Sequence, residues 1–168
     1  MTGSSLRYTI HPSPIGPLTL VSDGTHLTAI RFARGDGAAD VERDWRRDDD
    51  LPVLAQARAQ LAEYFAGTRT RFDLPLKLPG TDFQKAVWRA LQKVGFGRTS
   101  TYGELAAAVG RPAAARAVGA AMGANPVPIV VPCHRIVGKD GSLTGFGGGI
   151  DRKTTLLRLE GALADRSR

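Results

Sequence analysis

The sequence predicts an α+β protein: a small N-terminal lobe with an antiparallel sheet and a helix, then a mainly helical C-terminal lobe that contains a helix-turn-helix. Alternating apolar residues mark the first half, helical apolar spacing marks the second, and Pro79-Gly80 separates them. The 168 residues, 42% hydrophobic and 23% charged, are typical of a globular chain. We therefore expect an N-terminal support lobe at residues 1–78 and a C-terminal lobe at residues 79–168.

The first lobe is predicted to contain a hairpin, two further strands and one helix. Residues 18–22 and 26–32 flank Asp23-Gly24, which favours a tight hairpin turn, and residues 7–11 predict the third strand. The charged residues 35–50 predict an exposed loop. Apolar residues recur at helical spacing between positions 54 and 65, and residues 72–78 alternate again as a strand.

The second lobe is predicted to begin its helices with two capping boxes, Thr81 with Gln84 and Thr101 with Glu104. The second box opens a short helix over residues 102–109. Gly110 and Pro112 then predict a turn, with the proline at the first position of a further helix that runs to residue 124. Two short helices joined in this way have the helix-turn-helix shape, which is also the shape of many plain helix pairs.

The net charge of +7 lies entirely in the second half of the chain. Residues 1–78 hold ten basic and ten acidic side chains, whereas residues 79–168 hold thirteen and six. A basic half indicates a polyanionic partner, although an ordinary soluble surface can carry the same charge. Arg116 stands among alanines and glycines. The small residues can pack the second helix of the pair on its neighbour, and another face can bind DNA without strong sequence preference.

Neither an export signal nor a membrane span is predicted. The N-terminus lacks an apolar segment behind a basic start, and glycines and prolines interrupt the long uncharged stretch over residues 117–131. The single cysteine excludes an internal disulfide and a zinc site built from several thiolates. We expect a cytoplasmic protein with no membrane partner, no metal and no cofactor.

The segment around Cys133 holds the reactive residue types. Residues 129–131 predict a short buried strand that Pro132 ends just before the thiol. His134 and Arg135 can supply a base and a positive field, and both favour the nucleophilic thiolate. A lone cysteine is also common as a buried apolar residue, so the residues alone leave both interpretations open.

A catalytic imidazole needs a group that orients it, normally a carboxylate. Five of the six acidic residues in the second lobe lie in predicted caps, turns or chain ends; Asp151, for example, is predicted to be a helix N-cap. By elimination, Glu160 is the best partner for His134. Half of residues 138–149 are glycines, and such a loop can approach a planar ligand closely.

Six motifs carry a family resemblance: Thr-Asp-Phe-Gln at 81–84, Thr-Tyr-Gly-Glu-Leu-Ala at 101–106, Ala-Arg-Ala-Val-Gly at 115–119, Asn-Pro-Val-Pro at 125–128, Pro-Cys-His-Arg at 132–135 and Leu-Leu-Arg-Leu-Glu-Gly at 156–161. With them the sequence resembles the O6-alkylguanine-DNA alkyltransferases, or methylated-DNA–protein-cysteine methyltransferases. The resemblance spans nearly the whole chain, and the Pro-Cys-His-Arg motif is highly specific.

The resemblance implies that the protein repairs DNA by irreversible alkyl transfer to its own Cys133, once per molecule. The substrate would be O6-alkylguanine, and O4-alkylthymine, flipped out of the duplex. His134 would take the thiol proton through a water while Glu160 holds the imidazole. Asn125 would brace the loop, and Tyr102 would donate to the guanine as it leaves.

The same resemblance implies how the protein binds DNA. The second helix of the pair would lie in the minor groove without strong sequence preference, and Arg116 would fill the gap in the base stack. The chain is expected to act as a monomer. The further residues expected to contact the substrate or the DNA are Ala115, Met122, Pro128, Arg135, Ile136, Phe146, Gly147 and Gly148.

The sequence departs from the family at three points. Phe146 stands where many members have tyrosine, and Gly147 and Gly148 replace larger residues of some members. We hypothesise that this open loop admits adducts larger than methyl, such as benzyl. Some members bind zinc in the first lobe, but this lobe has no cysteine, so we expect none.

Two alternatives remain at this stage. The chain could be a DNA-binding module with an inert Cys133, although the branch of the family that binds alkylated guanine without repair lacks the cysteine itself. It could also be a cysteine hydrolase, but the spare histidines, His11 and His26, lie in the neutral lobe without a recognisable setting.

Overall fold

The structure is a computed structural model that describes residues 6–143, residue 146 and residues 149–163. It forms two compact units, Met1–Leu78 and Pro79–Arg168, and the α+β class is confirmed. Within the described ranges, no helix has the length and apolar character that crossing a bilayer requires. The elements in chain order are β1 (Arg7–His11), β2 (Leu18–Ser22), β3 (Leu27–Arg31), β4 (Arg46–Arg47), α1 (Pro52–Phe65), α2 (Asp82–Leu91), β5 (Ser100–Thr101), α3 (Tyr102–Ala108), α4 (Ala115–Gly123), a 3-10 turn (Cys133–Arg135), β6 (Ile136–Val137) and α5 (Ile150–Leu159).

The first unit is a four-stranded sheet with the order β3-β2-β1-β4, covered by α1. The predicted hairpin is present, with β2 antiparallel to both β1 and β3. At its turn, Gly24 has a φ of 112°, and Asp23 Oδ1 accepts hydrogen bonds from the backbone N–H groups of Thr25 and His26. Burial raises the pKa of Asp23, but the hydrogen bonds from Thr25 and His26, together with the electrostatic effect of His26, outweigh burial and lower this pKa to about 2. The core between sheet and helix includes Leu18, Leu20, Leu54, Leu61 and Tyr64.

The prediction of an exposed loop over residues 35–50 is wrong at its end. There β4 pairs in parallel with β1 at the edge of the sheet. Trp45 anchors the segment, since its ring lies 6.4 Å from that of Tyr8 and the guanidinium of Arg31 lies 4.6 Å above it. This contact of two half-buried aromatic rings and a guanidinium therefore outweighs the charged character of the segment.

The strand predicted over residues 72–78 is also wrong. Leu76 makes only an isolated bridge with Leu27, although the segment is extended. The bonds run from Leu27 N to the Pro75 carbonyl and from Lys77 N to the Leu27 carbonyl. Pro75 has no N–H to donate, so a continuous ladder cannot form there.

Both predicted capping boxes are confirmed in the second unit. The hydroxyl of Thr81 accepts from Gln84 N at the start of α2, and that of Thr101 accepts from Glu104 N at the start of α3. Each glutamine or glutamate side chain reaches back to the backbone of its threonine. The indole of the buried Trp88 donates to the Ala121 carbonyl at 2.8 Å, which ties α2 to α4.

Three local predictions in the second unit are wrong. The helix α4 begins at Ala115 rather than at Pro112, because residues 111–114 form a turn first. The helix α5 has Gly149 as its N-cap, which places Asp151 inside the first turn. Residues 129–131 are not a strand, since Ile129 has a φ of 74° and reverses the chain.

Candidate active site

The loop that leads to Cys133 is held by the side chain of Asn125. The Asn125 amide donates to the Val131 carbonyl at 2.8 Å, and its oxygen accepts from Val127 N at 3.0 Å. Between these bonds lies Ile129, a buried β-branched residue with a positive φ. Such a conformation costs about 1–3 kcal/mol, so the surrounding contacts must hold it. The Cys133 N–H donates to the Val131 carbonyl and starts the 3-10 turn.

A buried cluster of three charged or polar side chains follows Cys133. His134 Nε2 lies 2.7 Å from Glu160 Oε2, and both side chains have no exposed surface. Arg135 forks onto the same carboxylate, with Nε 2.8 Å from Oε1 and a terminal nitrogen 3.0 Å from Oε2. The hydrogen bond that the sequence predicted between His134 and Glu160 is thus present, across 26 residues of chain.

The neighbours of His134 determine which of its nitrogens carries the proton. Burial lowers the pKa of His134; Glu160 opposes this change, and the positive charges of Arg135 and Lys153 reinforce it. An arginine-paired carboxylate is ionised and can only accept, so Nε2 is the N–H that donates to Glu160. The lone pair of the neutral ring is then on Nδ1, which is buried and has no hydrogen-bond partner within the described part of the chain.

Cys133 is half-buried, and opposing effects act on its thiol. Burial raises the pKa of Cys133, whereas a hydrogen bond from Asn125 and the positive charge of Lys153 lower it. The amide of Asn125 has two donor hydrogens, so it can bind the Val131 carbonyl and the sulfur together. The net direction is upward, so the resting protein holds a thiol that needs a base to become a nucleophile.

Lys153 is the site residue that the sequence reasoning missed. It is fully buried on α5, and its ammonium donates a short hydrogen bond to the Ile136 carbonyl. Burial lowers the pKa of Lys153. A signal for it exists, because Lys153, Leu156, Leu157 and Glu160 follow the i, i+3, i+4, i+7 spacing of one helix face. A lysine on the stripe that carries Leu156 and Leu157 is a candidate for burial beside the glutamate.

The side chain of Arg135 lies in the interior of the second unit. Its side chain is only 8% exposed; besides the fork onto Glu160, it donates to the Val94 carbonyl at 2.6 Å and lies 5.9 Å from the ring of Phe96. The guanidinium thus has its partners inside the unit, and the expected contact of Arg135 with substrate or DNA stays a prediction. The attraction of a buried carboxylate decides its direction.

The remaining predicted residues are distributed over the second unit. Tyr102 is half-buried at the start of α3, with its ring against Gly119 of α4, where an added Cβ would be 3.8 Å from it. Ala115 and Arg116 are exposed at the start of α4. Met122, Pro128 and Ile136 are buried, and Phe146 is half-buried. Gly147 and Gly148 lie outside the described residues.

The described residues contain no group of three or more histidine, cysteine, aspartate or glutamate side chains that could hold a metal ion.

Comparison with known proteins places this chain in a family. Residues 6–78 match the model of the 6-O-methylguanine DNA methyltransferase ribonuclease-like domain, and residues 82–162 match that of its DNA binding domain. A methylated-DNA–protein-cysteine methyltransferase of Haemophilus influenzae is 48% identical over 158 residues, which are 94% of this chain and 87% of that one. The chain belongs to this methyltransferase family. The enzyme class expected from the motifs is therefore confirmed.

Solved structures of the methyltransferase family agree with the fold. The O6-methylguanine methyltransferase of Mycobacterium tuberculosis has a TM-score of 0.83 and 47% identity, with 96% of each chain covered. The structure of the Mycobacterium tuberculosis protein in complex with DNA has a TM-score of 0.82 and 48% identity, and covers 94% of this chain and 92% of that one.

Proposed function

We propose that this methyltransferase repairs duplex DNA by moving the alkyl group of O6-alkylguanine, and of O4-alkylthymine, onto Sγ of Cys133. One observation carries the proposal: the buried His134–Glu160 hydrogen bond of 2.7 Å orients a neutral imidazole directly after the only thiol of the chain. A sulfur nucleophile with an oriented base is the arrangement of nucleophilic catalysis.

The chemical step exchanges one carbon–oxygen bond for one carbon–sulfur bond. His134 Nδ1 takes the proton of Cys133 through a water, and the thiolate attacks the alkyl carbon. The bond from that carbon to O6 breaks, and guanine leaves with its electron pair. Tyr102 donates a proton to the leaving base and becomes a tyrosinate. The proton that His134 took from Cys133 then passes through solvent to this tyrosinate, so both side chains return to their neutral forms. The products are unmodified guanine and an S-alkylated protein, and because this thioether is stable, each molecule reacts once.

The groups around the sulfur stabilise a thiolate, but the thiol loses its proton only when a base acts. Lys153 and Asn125 stabilise the anion, while burial keeps the resting group protonated. This combination protects the thiol from unselective reaction and reserves it for a substrate held beside it.

We propose that α3 and α4 form the DNA-binding helix-turn-helix. The small residues of α4 suit close approach to the minor groove without base-specific contacts, and the exposed Arg116 at its start suits insertion into the base stack. The alkylated base then leaves the stack and enters a pocket for which Met122, Pro128, Ile136 and Phe146 are the proposed lining. The chain would do this as a monomer in the cytoplasm.

Intact-mass measurement tests the proposed transfer. The protein is incubated with excess duplex that contains O6-methylguanine or, in a second arm, O4-methylthymine, and then digested to locate the modification. We expect one methyl group in place of one hydrogen, on Cys133, and no further gain with time. Cys133→Ser should bind the duplex but acquire no methyl group, because a serine hydroxyl is a poor nucleophile towards an alkyl carbon.

Three results would contradict the proposal. An unmodified wild-type thiol with tight DNA binding would favour the inert binding module instead. Methylation of the Cys133→Ser variant would move the acceptor to another residue. Several methyl groups released per chain would refute a single turnover.

A further inference from the structure

Glu160 serves two partners at once. Arg135 takes both of its oxygens with a two-pronged contact of 2.8 and 3.0 Å, and His134 shares one of these oxygens at 2.7 Å. All three side chains are buried, and Arg135 is fixed at its other end by the Val94 carbonyl. In such surroundings the number of charges matters more than at a surface, since water does not screen them.

The arginine supplies the positive charge that the buried carboxylate needs. Arginine keeps its charge in proteins, so the Arg135–Glu160 pair is already neutral without any charge on His134. Lys153 on α5 is a further positive charge that acts on His134, and it also disfavours an imidazolium. The titratable group on the same turn is the thiol of Cys133. The neighbouring strand β5 contributes only the uncharged Ser100 and Thr101.

We propose that Arg135 is a positioning residue that keeps His134 neutral, with the lone pair on Nδ1, by holding Glu160 as an ionised acceptor. The inference rests on the proposed function, because it concerns the base that would take the Cys133 proton. It assigns to Arg135 a task that contact with DNA would not require.

Removal of the arginine charge has one outcome for Nδ1, wherever the compensating proton is placed. If the proton goes to the imidazole, the imidazolium carries hydrogen on both nitrogens. If it goes to Glu160, the carboxyl group donates to Nε2, and the neutral ring then carries its hydrogen on Nδ1. In both cases Nδ1 can no longer accept the thiol proton. Because His134 and Glu160 share this proton, they titrate together, and an experiment observes one apparent pKa for the pair.

Nitrogen NMR of the histidine rings measures this state directly, without any substrate. The chain has three histidines, and His11→Gln and His26→Gln identify the signals of His134 by subtraction. We expect wild-type Nδ1 to be unprotonated at pH 7. In Arg135→Gln the apparent pKa of the pair should rise by about one to three pH units, the size of the effect of a close charge.

Two further variants separate the charge from the packing. Arg135→Lys keeps the positive charge but loses the two-pronged contact with Glu160. The apparent pKa of the pair should therefore rise less than in Arg135→Gln. Arg135→Gln combined with Glu160→Gln removes both charges, and the apparent pKa of the imidazole should return towards the wild-type value. Arg158→Gln, an exposed arginine on α5, is the matched control and should change nothing. If Arg135→Gln does not fold, the lysine and double variants decide the question.

The rate of transfer to Cys133 as a function of pH is the second readout. In Arg135→Gln the apparent pKa of the His134–Glu160 pair is raised. His134 Nδ1 is therefore protonated at low pH and can accept the thiol proton again at high pH. An apparent pKa near 8 would lower the rate about tenfold at pH 7 and leave it nearly unchanged at pH 9. A uniform loss at all pH values would indicate a merely structural arginine.

The two proposals fail in different ways. A protonated Nδ1 in the wild-type protein at pH 7, or an unchanged titration in folded Arg135→Gln and Arg135→Lys, would overturn the role of Arg135. Absence of methyl transfer by the wild-type protein would overturn the proposed function, while the NMR titration would still test the arginine.

Discussion

Ion pairs of the first unit lie at its surface, whereas those described in the second unit lie in its interior. The paired side chains of the first unit are between 24% and 65% exposed. In the second unit, His134, Arg135 and Glu160 are at most 8% exposed. Exposed pairs contribute little to stability, and a buried charge depends on its partner. The same residue types thus form exposed pairs in one unit and a buried cluster beside Cys133 in the other.

Removal of one carboxylate from each unit tests most directly whether burial determines what an ion pair contributes to stability. Glu160→Gln leaves Arg135 charged and buried without a counter-charge, so it should destabilise the protein by about 3–5 kcal/mol. Glu63→Gln removes the exposed partner of Arg69 and should cost less than about 1 kcal/mol. Urea unfolding of both variants measures the difference. Equal losses would show that burial does not distinguish the two pairs.

Arg116 tests whether the basic surface of the second unit has a specific task. Arg116→Ala should slow repair of O6-methylguanine in duplex DNA by roughly tenfold to a hundredfold, because an unfilled base stack costs a few kcal/mol. Reaction with the free modified base should be nearly unaffected. Arg71→Ala, an exposed arginine of the first unit, is the control. If the rates of transfer from duplex DNA and from the free base fall by the same factor, Arg116 does not fill the gap in the base stack.

Lys153 tests the effect of a buried charge on the sulfur. Lys153→Met removes a charge that lowers the pKa of Cys133, so that pKa should rise further. Transfer from a free modified base should then slow about tenfold at pH 7 for each pH unit of the rise, and recover at higher pH. Lys85→Met, an exposed lysine on α2, should leave the pH profile unchanged. A Lys153→Met profile identical to the wild type would exclude this electrostatic role.

The smallest effect is expected at the hairpin turn of the first unit. Folding lowers the pKa of Asp23 from 3.8 to about 2, so its contribution is complete above pH 4 and is lost as the pH falls through 2. Asp23→Asn should remove this part of the acid sensitivity, at a cost below about 1 kcal/mol at pH 7. Thermal unfolding of the wild type and of Asp23→Asn between pH 2 and 6 measures this pH dependence of stability. An unchanged pH dependence would mean that another acidic group is responsible.

Local sequence patterns predicted the features that local hydrogen bonds create. The two capping boxes and the turn at Asp23 need only residues within a few positions of one another, and all three are present. Patterns that depend on distant partners were less informative. The alternating residues 72–78 form one bridge because of Pro75, and residues 46–47 form a strand because Trp45 packs on Tyr8.

Elimination identified Glu160, because every other acidic residue of the second lobe had a local explanation. Arg135 could not be identified in the same way, since a guanidinium beside a reactive thiol can face DNA or a buried carboxylate with equal local plausibility. Lys153 was missed because the sequence alone does not say which polar residue of a helix face is buried.

The sequence by itself indicated the family, a candidate nucleophile with its base, and the starts of α2 and α3, because short motifs with local chemistry carry these features. The tertiary structure decided the direction of Arg135, the burial of Lys153 and the reversed backbone at Ile129. Each of these depends on the competition between water and a partner far away in the chain, and only packing removes the water.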